Sequence, residues 1–208
     1  MTIQIDMMGT VGEDFDAATV KLALAQGGDV RVTLNSGGGF AAEGAAIYAL
    51  LDAHPGNVRV DIVGIAASAA SLIAMAGDSI VMYDGAVMMI HDPLNITVGN
   101  SAAHQKTIEE LESYAKAYAA IYAKKAKITP AAARAIMQAE TWYDGDAAVK
   151  AGFATAKSSN ASAAWAKFDY DKYQKGAAAV AGANSTRAMW RRALMRNKEY
   201  DDAFVVRW

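Results

Sequence analysis

Apolar positions along the first half of the chain switch between two periods. "IQIDMMGTV" (3–11), "VRVTLN" (30–35) and "VRVDIVG" (58–64) are rich in β-branched residues and alternate apolar with polar, as half-buried strands do. Between them, "DAATVKLALAQ" (16–26) and "AAEGAAIYALLDA" (41–53) follow a helical period. The result is a β-α-β-α-β rhythm, which predicts an α/β fold with crossover connections. Next comes "VGIAASAASLIAMAG" (63–77), uncharged and lying between Asp61 and Asp78. Its alternating start predicts strand to Val63, and the Ala and Ser that follow, closed by Gly77, predict a short helix buried on most sides. "SIVMYDGAVMMIHDP" predicts two more strands around Asp84-Gly85, a dipeptide typical of hairpin turns.

From Asn100 the period lengthens into one long helix. Ile108, Leu111, Ala115, Tyr118 and Tyr122 form its apolar stripe, while Lys106, Glu109, Glu110, Glu112, Lys116, Lys124 and Lys125 occupy the other faces. Such a helix protrudes and needs a partner surface, either a neighbouring helix or another subunit. Thr129-Pro130 caps and opens a further helix, Asp144 caps "DAAVKAG" to Gly152, and "FATA" is expected as the closing strand. Past Ala156 the composition shifts toward Ala, Ser, Asn and Lys without a firm period. The chain therefore divides into a domain at 1–156 and an extension at 157–208. The extension carries a basic stretch, "RAMWRRALMRNK", and is expected to be flexible, to dock on a partner, or to be trimmed by self-cleavage.

Composition removes several function classes. A length of 208 residues suits one main domain, and a net charge of -2 gives no reason to expect nucleic-acid binding. Without cysteine there is no disulfide, thiolate metal site or cysteine nucleophile, so covalent catalysis would use an oxygen or a lysine. The start has no basic n-region ahead of an apolar run. The uncharged stretch is shorter than the roughly 20 residues of a spanning helix, so neither export nor a membrane is expected.

Three places carry candidate chemistry. "NSGGGF" (35–40) lets backbone N–H groups approach a ligand at a glycine-rich turn, although it lacks the ending of a phosphate loop. Ser68 and Ser71 lie at the start of the small-residue helix, where helix N–H groups favour an oxyanion. His91 ends an apolar strand and is the natural general base for a serine; the chain has two other histidines, His54 and His104.

The order of these elements resembles the Clp protease family of serine peptidases. "NSGGGF" stands at the family's Asn-Ser-Pro-Gly-Gly, "GIAASAAS" at its Gly-x-Ala-Ala-Ser, and "MMIHDP" at its Met-Ile-His-x-Pro. "AETWYDGDAAVKAGFA" is similar to its closing segment, so the resemblance spans roughly residues 3–156. It implies a ClpP/crotonase-like α/β fold of repeated β-β-α units with a long protruding helix, and a homo-oligomeric ring acting on polypeptides. Ser68 would be the nucleophile, His91 the base, and Gly39 and Ala69 the oxyanion-hole donors, with no metal or cofactor. The family's aspartate falls on Glu140, one methylene longer, with Thr141 and Asp92 as fallback candidates; Asp92 is disfavoured because adjacent strand side chains point to opposite faces.

Gly37 replaces the family's usual proline, and "NITVGNS" (95–101) is short beside the Gly-rich strand-turn that joins the rings of the housekeeping enzymes. The chain also starts close to its first strand, without room for an axial-pore segment. These departures resemble the bacteriophage and prophage head maturation branch. They imply cleavage of scaffold or capsid precursors without an unfoldase ATPase, in bacterial cytoplasm or within a prohead. Two alternatives stay open: a non-catalytic ring or scaffold protein of the same fold, and a crotonase-like acyl-CoA enzyme, which would place acidic residues and not a Ser-His pair at the reacting carbon. A Ser-Lys peptidase is disfavoured, since no lysine lies between Asn35 and His104.

Overall fold

Three long strands build the floor of the molecule: β1 (Thr2–Val11), β2 (Asp29–Gly39) and β3 (Val58–Ala67). Their inward positions, among them Ile3, Ile5 and Met7 on β1, Val30, Val32 and Leu34 on β2, and Val60 and Ile62 on β3, are buried. Helices α1 (Ala17–Leu24) and α2 (Ala41–Asp52) connect them, so consecutive strands run parallel, as crossover connections require. The structure, a computed structural model, describes residues 1–159.

After β3 follow α3 (Ala69–Ala74), β4 (Ser79–Tyr83), β5 (Val87–Ile90), α4 (Ser101–Ala126), α5 (Pro130–Gln138), β6 (Thr141–Asp144), α6 (Gly145–Ala151) and β7 (Ala156–Ser158). The seven-stranded sheet runs β1-β2-β3-β4-β7, and β5 leaves this path to pair with β3 and β6. All ladders are parallel except β5 with β6. The α/β class is as the sequence predicts. Register shifts midway along β1 with β2 and β2 with β3, and β3 itself changes partner. Each long strand thus carries the two strand segments of a β-β-α unit without a break.

Several local expectations need correction. Asp84-Gly85 makes a turn, with Ala86 N–H donating to the Tyr83 carbonyl at 2.9 Å, but β4 and β5 do not form a hairpin. Both pair in parallel with β3, β4 along Arg59–Ile62 and β5 along Ile65–Ala67. A tight hairpin turn of the Asp-Gly type needs positive φ at both central residues, and here only Gly85 has it. Ala66 and Ala67, expected in the helix, are strand: Ala66 pairs with Ser36 on β2 and Met88 on β5, Ala67 pairs with Met89, and this lateral pairing outweighs the helix preference of alanine. The glycines of "NSGGGF" likewise extend β2 and do not form a separate turn. The closing strand is Ala156–Ser158, not "FATA", because Phe153 is fully buried under α6 and only then does the chain reach β4.

The capping expectations hold. Thr129 caps α5 through Ala132 N–H, Asp144 caps α6 through Ala147 N–H, and Gly152 closes α6 in the left-handed conformation. Helix α4 divides in two. Ala115, Tyr118, Ala119, Tyr122 and Ala123 are buried in its C-terminal half, whereas Ile108 in the N-terminal half is exposed. Among the described residues no helix is long and apolar enough to cross a membrane, and no cluster of His, Asp or Glu could hold a metal ion. From residue 160 onward the extension, with its basic stretch and its expected docking or trimming, lies outside the described residues.

Where the β2–β3 ladder shifts register, a side chain replaces the missing backbone acceptor. Asn35 Oδ1 accepts from Ile65 N–H at 3.0 Å, and the Asn35 amide fills the space beside Gly64. A Cβ at Gly64 would stand 2.6 Å from that oxygen, so glycine is needed there. Asn35→Ala should cost about 1 to 3 kcal/mol by leaving the N–H unpaired. Asn35→Asp, which keeps the acceptor, should cost less; urea denaturation of both variants measures this, and equal losses would refute the role.

Candidate active site

Ser68 sits between β3 and α3 with φ 55° and ψ -126°, a conformation that non-glycine residues adopt only under constraint. Three bonds impose it. Ser68 N–H donates to the Met89 carbonyl on β5 at 3.0 Å, and the Ser68 carbonyl accepts both Leu72 N–H at 3.2 Å and Ser71 Oγ at 2.7 Å. The parallel β3–β5 register, with Ala67 opposite Met89, places His91 just past the end of β5 and beside Ser68. His91 Nε2 lies 2.7 Å from Ser68 Oγ. This is the distance needed for proton transfer from a hydroxyl to an imidazole.

Gly38 makes the close approach possible. A Cβ at Gly38 would stand 2.7 Å from Ser68 Cβ, and its φ of 102° disfavours any side chain. The motif drew attention to Gly39, yet Gly38 is the residue packed on the nucleophile turn. Gly38 N–H donates to Ser36 Oγ at 3.1 Å and is thereby committed to its own strand. Gly39 N–H follows it in the chain, and Ala69 N–H opens α3, where first-turn N–H groups have no partner within the helix.

Glu140 adopts φ 48° between α5 and β6. The antiparallel β5–β6 ladder ends with Ile90 opposite Thr141, and His91 and Glu140 are the residues that adjoin this last pair. Among the described residues no hydrogen bond joins the Glu140 carboxylate to His91. The two fallback groups are committed elsewhere. Asp92 forms an ion pair with Arg134, which also holds Glu112 at 2.7 Å, and Thr141 Oγ1 donates to the Ile136 carbonyl at 2.9 Å. The structure brings Ser68, Ala69 and His91 together with Gly38 packed against them, places Gly39 against Val11 on β1, and leaves the acid without a bond to the imidazole.

Beside the Ser-His pair a narrow pocket is lined by Ala41, Ala69, Leu72, Pro93, Tyr118 and Tyr122. Both tyrosine hydroxyls are tied back into the protein. Tyr118 donates to the Ala41 carbonyl at 2.8 Å, and Tyr122 lies 2.9 Å from Ser71 Oγ. Burial pushes the Tyr118 hydroxyl up to about 12, and it pushes that of Tyr122 still further above the usual phenol range, so both stay neutral donors. The pocket lining is therefore mostly apolar.

The Clp protease family profile matches residues 4–156. Among solved structures, the chain is similar to a mutant of ClpP1 from Listeria monocytogenes, with a TM-score of 0.68 and 17% identity over 76% of this chain and 92% of that one. No curated protein matches it.

The strain at Ser68 has a measurable consequence. Glycine adopts positive φ at little cost, so Ser68→Gly should be more stable than Ser68→Ala by about 1 kcal/mol or more. Thermal or chemical unfolding of the two variants tests this, and a less stable Ser68→Gly would mean that the turn stores no strain. With the glycine-rich segment, the Ser68 turn and the His91 strand end all in one place, and with the profile extending over most of its length, this chain belongs to the Clp protease family.

Proposed function

We propose that the chain is a serine endopeptidase with Ser68 as nucleophile and His91 as general base. The observation that carries this reading is the 2.7 Å approach of His91 Nε2 to Ser68 Oγ at a constrained strand-to-helix turn. In the proposed cycle Ser68 Oγ bonds to the substrate carbonyl carbon as His91 takes the hydroxyl proton. Gly39 and Ala69 N–H groups stabilise the oxyanion. His91 then passes the proton to the leaving amine, and a water activated by the same imidazole hydrolyses the acyl-enzyme.

Glu140 is the acid of the proposed triad, turning its carboxylate to the imidazole in the working enzyme. Its position next to the last β5–β6 pair, which His91 also adjoins, and the commitment of Asp92 and Thr141 to other partners support this. The separation of Glu140 from His91 is also what favours the second reading, a ring or scaffold protein that has kept the fold without the activity. The finer assignment we propose is to phage head maturation, with a homo-oligomeric ring cutting scaffold or capsid precursors. Gly37 and the absence of regular structure at 91–98 support it, since the strand joining rings in housekeeping enzymes has no counterpart there.

Fluorophosphonate labelling followed by intact mass should give one adduct on the wild type and none on Ser68→Ala. His91→Ala should slow it by about a hundredfold or more. Glu140→Gln should slow labelling by about tenfold or more, through loss of imidazole orientation. A folded wild type that takes no label would favour the scaffold reading, and a Glu140→Gln rate equal to wild type would remove Glu140 from the triad. Cleavage of an unfolded polypeptide should proceed without any nucleotide present; a strict requirement for an ATPase would overturn the head maturation assignment.

A further inference from the structure

Ser71 and Tyr122 are fully buried, yet the proposed mechanism uses neither hydroxyl. Their bonds fix a direction. Ser71 Oγ donates its one proton to the Ser68 carbonyl at 2.7 Å, since a carbonyl only accepts. At the 2.9 Å contact with Tyr122, Ser71 Oγ must then be the acceptor and the Tyr122 hydroxyl the donor. The chain of donation runs from α4 through α3 to the peptide joining Ser68 and Ala69.

That peptide is planar and trans, so its C=O and N–H point in opposite directions. Holding the Ser68 carbonyl along α3 with Ser71 Oγ and Leu72 N–H turns the Ala69 N–H the opposite way, out of the N-terminal end of α3. Hydrogen bonds in series also polarise one another, so donation to the carbonyl strengthens the N–H of the same peptide as a donor.

We propose that Tyr122 and Ser71 are positioning residues for the oxyanion hole, a two-hydroxyl relay that aims and polarises the Ala69 N–H from the buried half of α4. This rests on the serine peptidase reading. The relay acts on the transition state through Ala69 and leaves proton transfer at His91 untouched. Tyr122 acts only through Ser71, so the two substitutions are non-additive.

The second-order rate of fluorophosphonate labelling, measured on wild type, Ser71→Ala, Tyr122→Phe and the double variant, tests it alongside thermal midpoint and oligomeric state. Ser71→Ala should slow labelling about tenfold, less than outright loss of an oxyanion donor, and Tyr122→Phe about threefold. Adding Tyr122→Phe to Ser71→Ala should slow it no further, and the pH of half-maximal labelling should stay that of the wild type. The double variant leaves no buried hydroxyl unpaired, so it gives a folded protein for comparison even if Ser71→Ala is destabilised. Wild-type rates in the single variants, fully additive losses, or a shifted pH midpoint would each overturn the relay while the peptidase reading stands. An unlabelled wild type would overturn both.

Discussion

The backbone at Ser68 is the constraint on which the rest of this structure converges. A serine held at positive φ is costly, and the local sequence offers no glycine to relieve it. The conformation persists because β5 takes its N–H, α3 takes its carbonyl, and Gly38 leaves room beside its Cβ. The arrangement presents Oγ to His91 and opens α3 in the same step. The position of the nucleophile and that of the first helical N–H groups are thus one geometric fact.

The sheet exists in a form that serves this turn. Strand β3 has β2 on one side along its whole length, but on the other side it pairs first with β4 and then with β5. This change of partner brings β5, and His91 at its end, next to the last residues of β3. Asn35 repairs the ladder where β2 and β3 shift register, and the end of β2, still paired with β1, carries Gly38 to the nucleophile. On the opposite face of the sheet, buried Asp61 joins Arg31 and Arg59 across β2 and β3, and Arg31 also reaches Tyr83 on β4. That network holds the three strands in register well away from the site.

Helix α4 links packing to chemistry. Its buried half supplies Tyr118 and Tyr122 to the pocket wall and anchors to Ala41 and Ser71, at the entries to α2 and α3. Farther along the same helix, Glu112 shares Arg134 with Asp92, the neighbour of His91. Both the nucleophile turn and the base segment are therefore tied to one rigid element, which limits their relative motion. The N-terminal half of α4 stays exposed and leaves Ile108 uncovered.

Much of this was legible in the chain itself. Alternation and helical periods determined the α/β class, and Thr129-Pro130 and Asp144 determined helix starts, because local chemistry dictates local geometry; the expected roles of Ser68, His91, Gly39 and Ala69 came from the resemblance of three short motifs to the Clp protease family. What the tertiary structure decided is of a different kind. It made Ala66 and Ala67 strand by pairing them with neighbouring strands and sent β4 and β5 to a shared partner where a hairpin was expected. It brought the Tyr122 hydroxyl of α4 to Ser71 Oγ on α3. It also left Glu140 and His91, which adjoin the last β5–β6 pair, without a hydrogen bond between them. Each of these depends on groups far apart in sequence meeting in space, and period, propensity and capping, which act within a few residues, carry no information about such meetings.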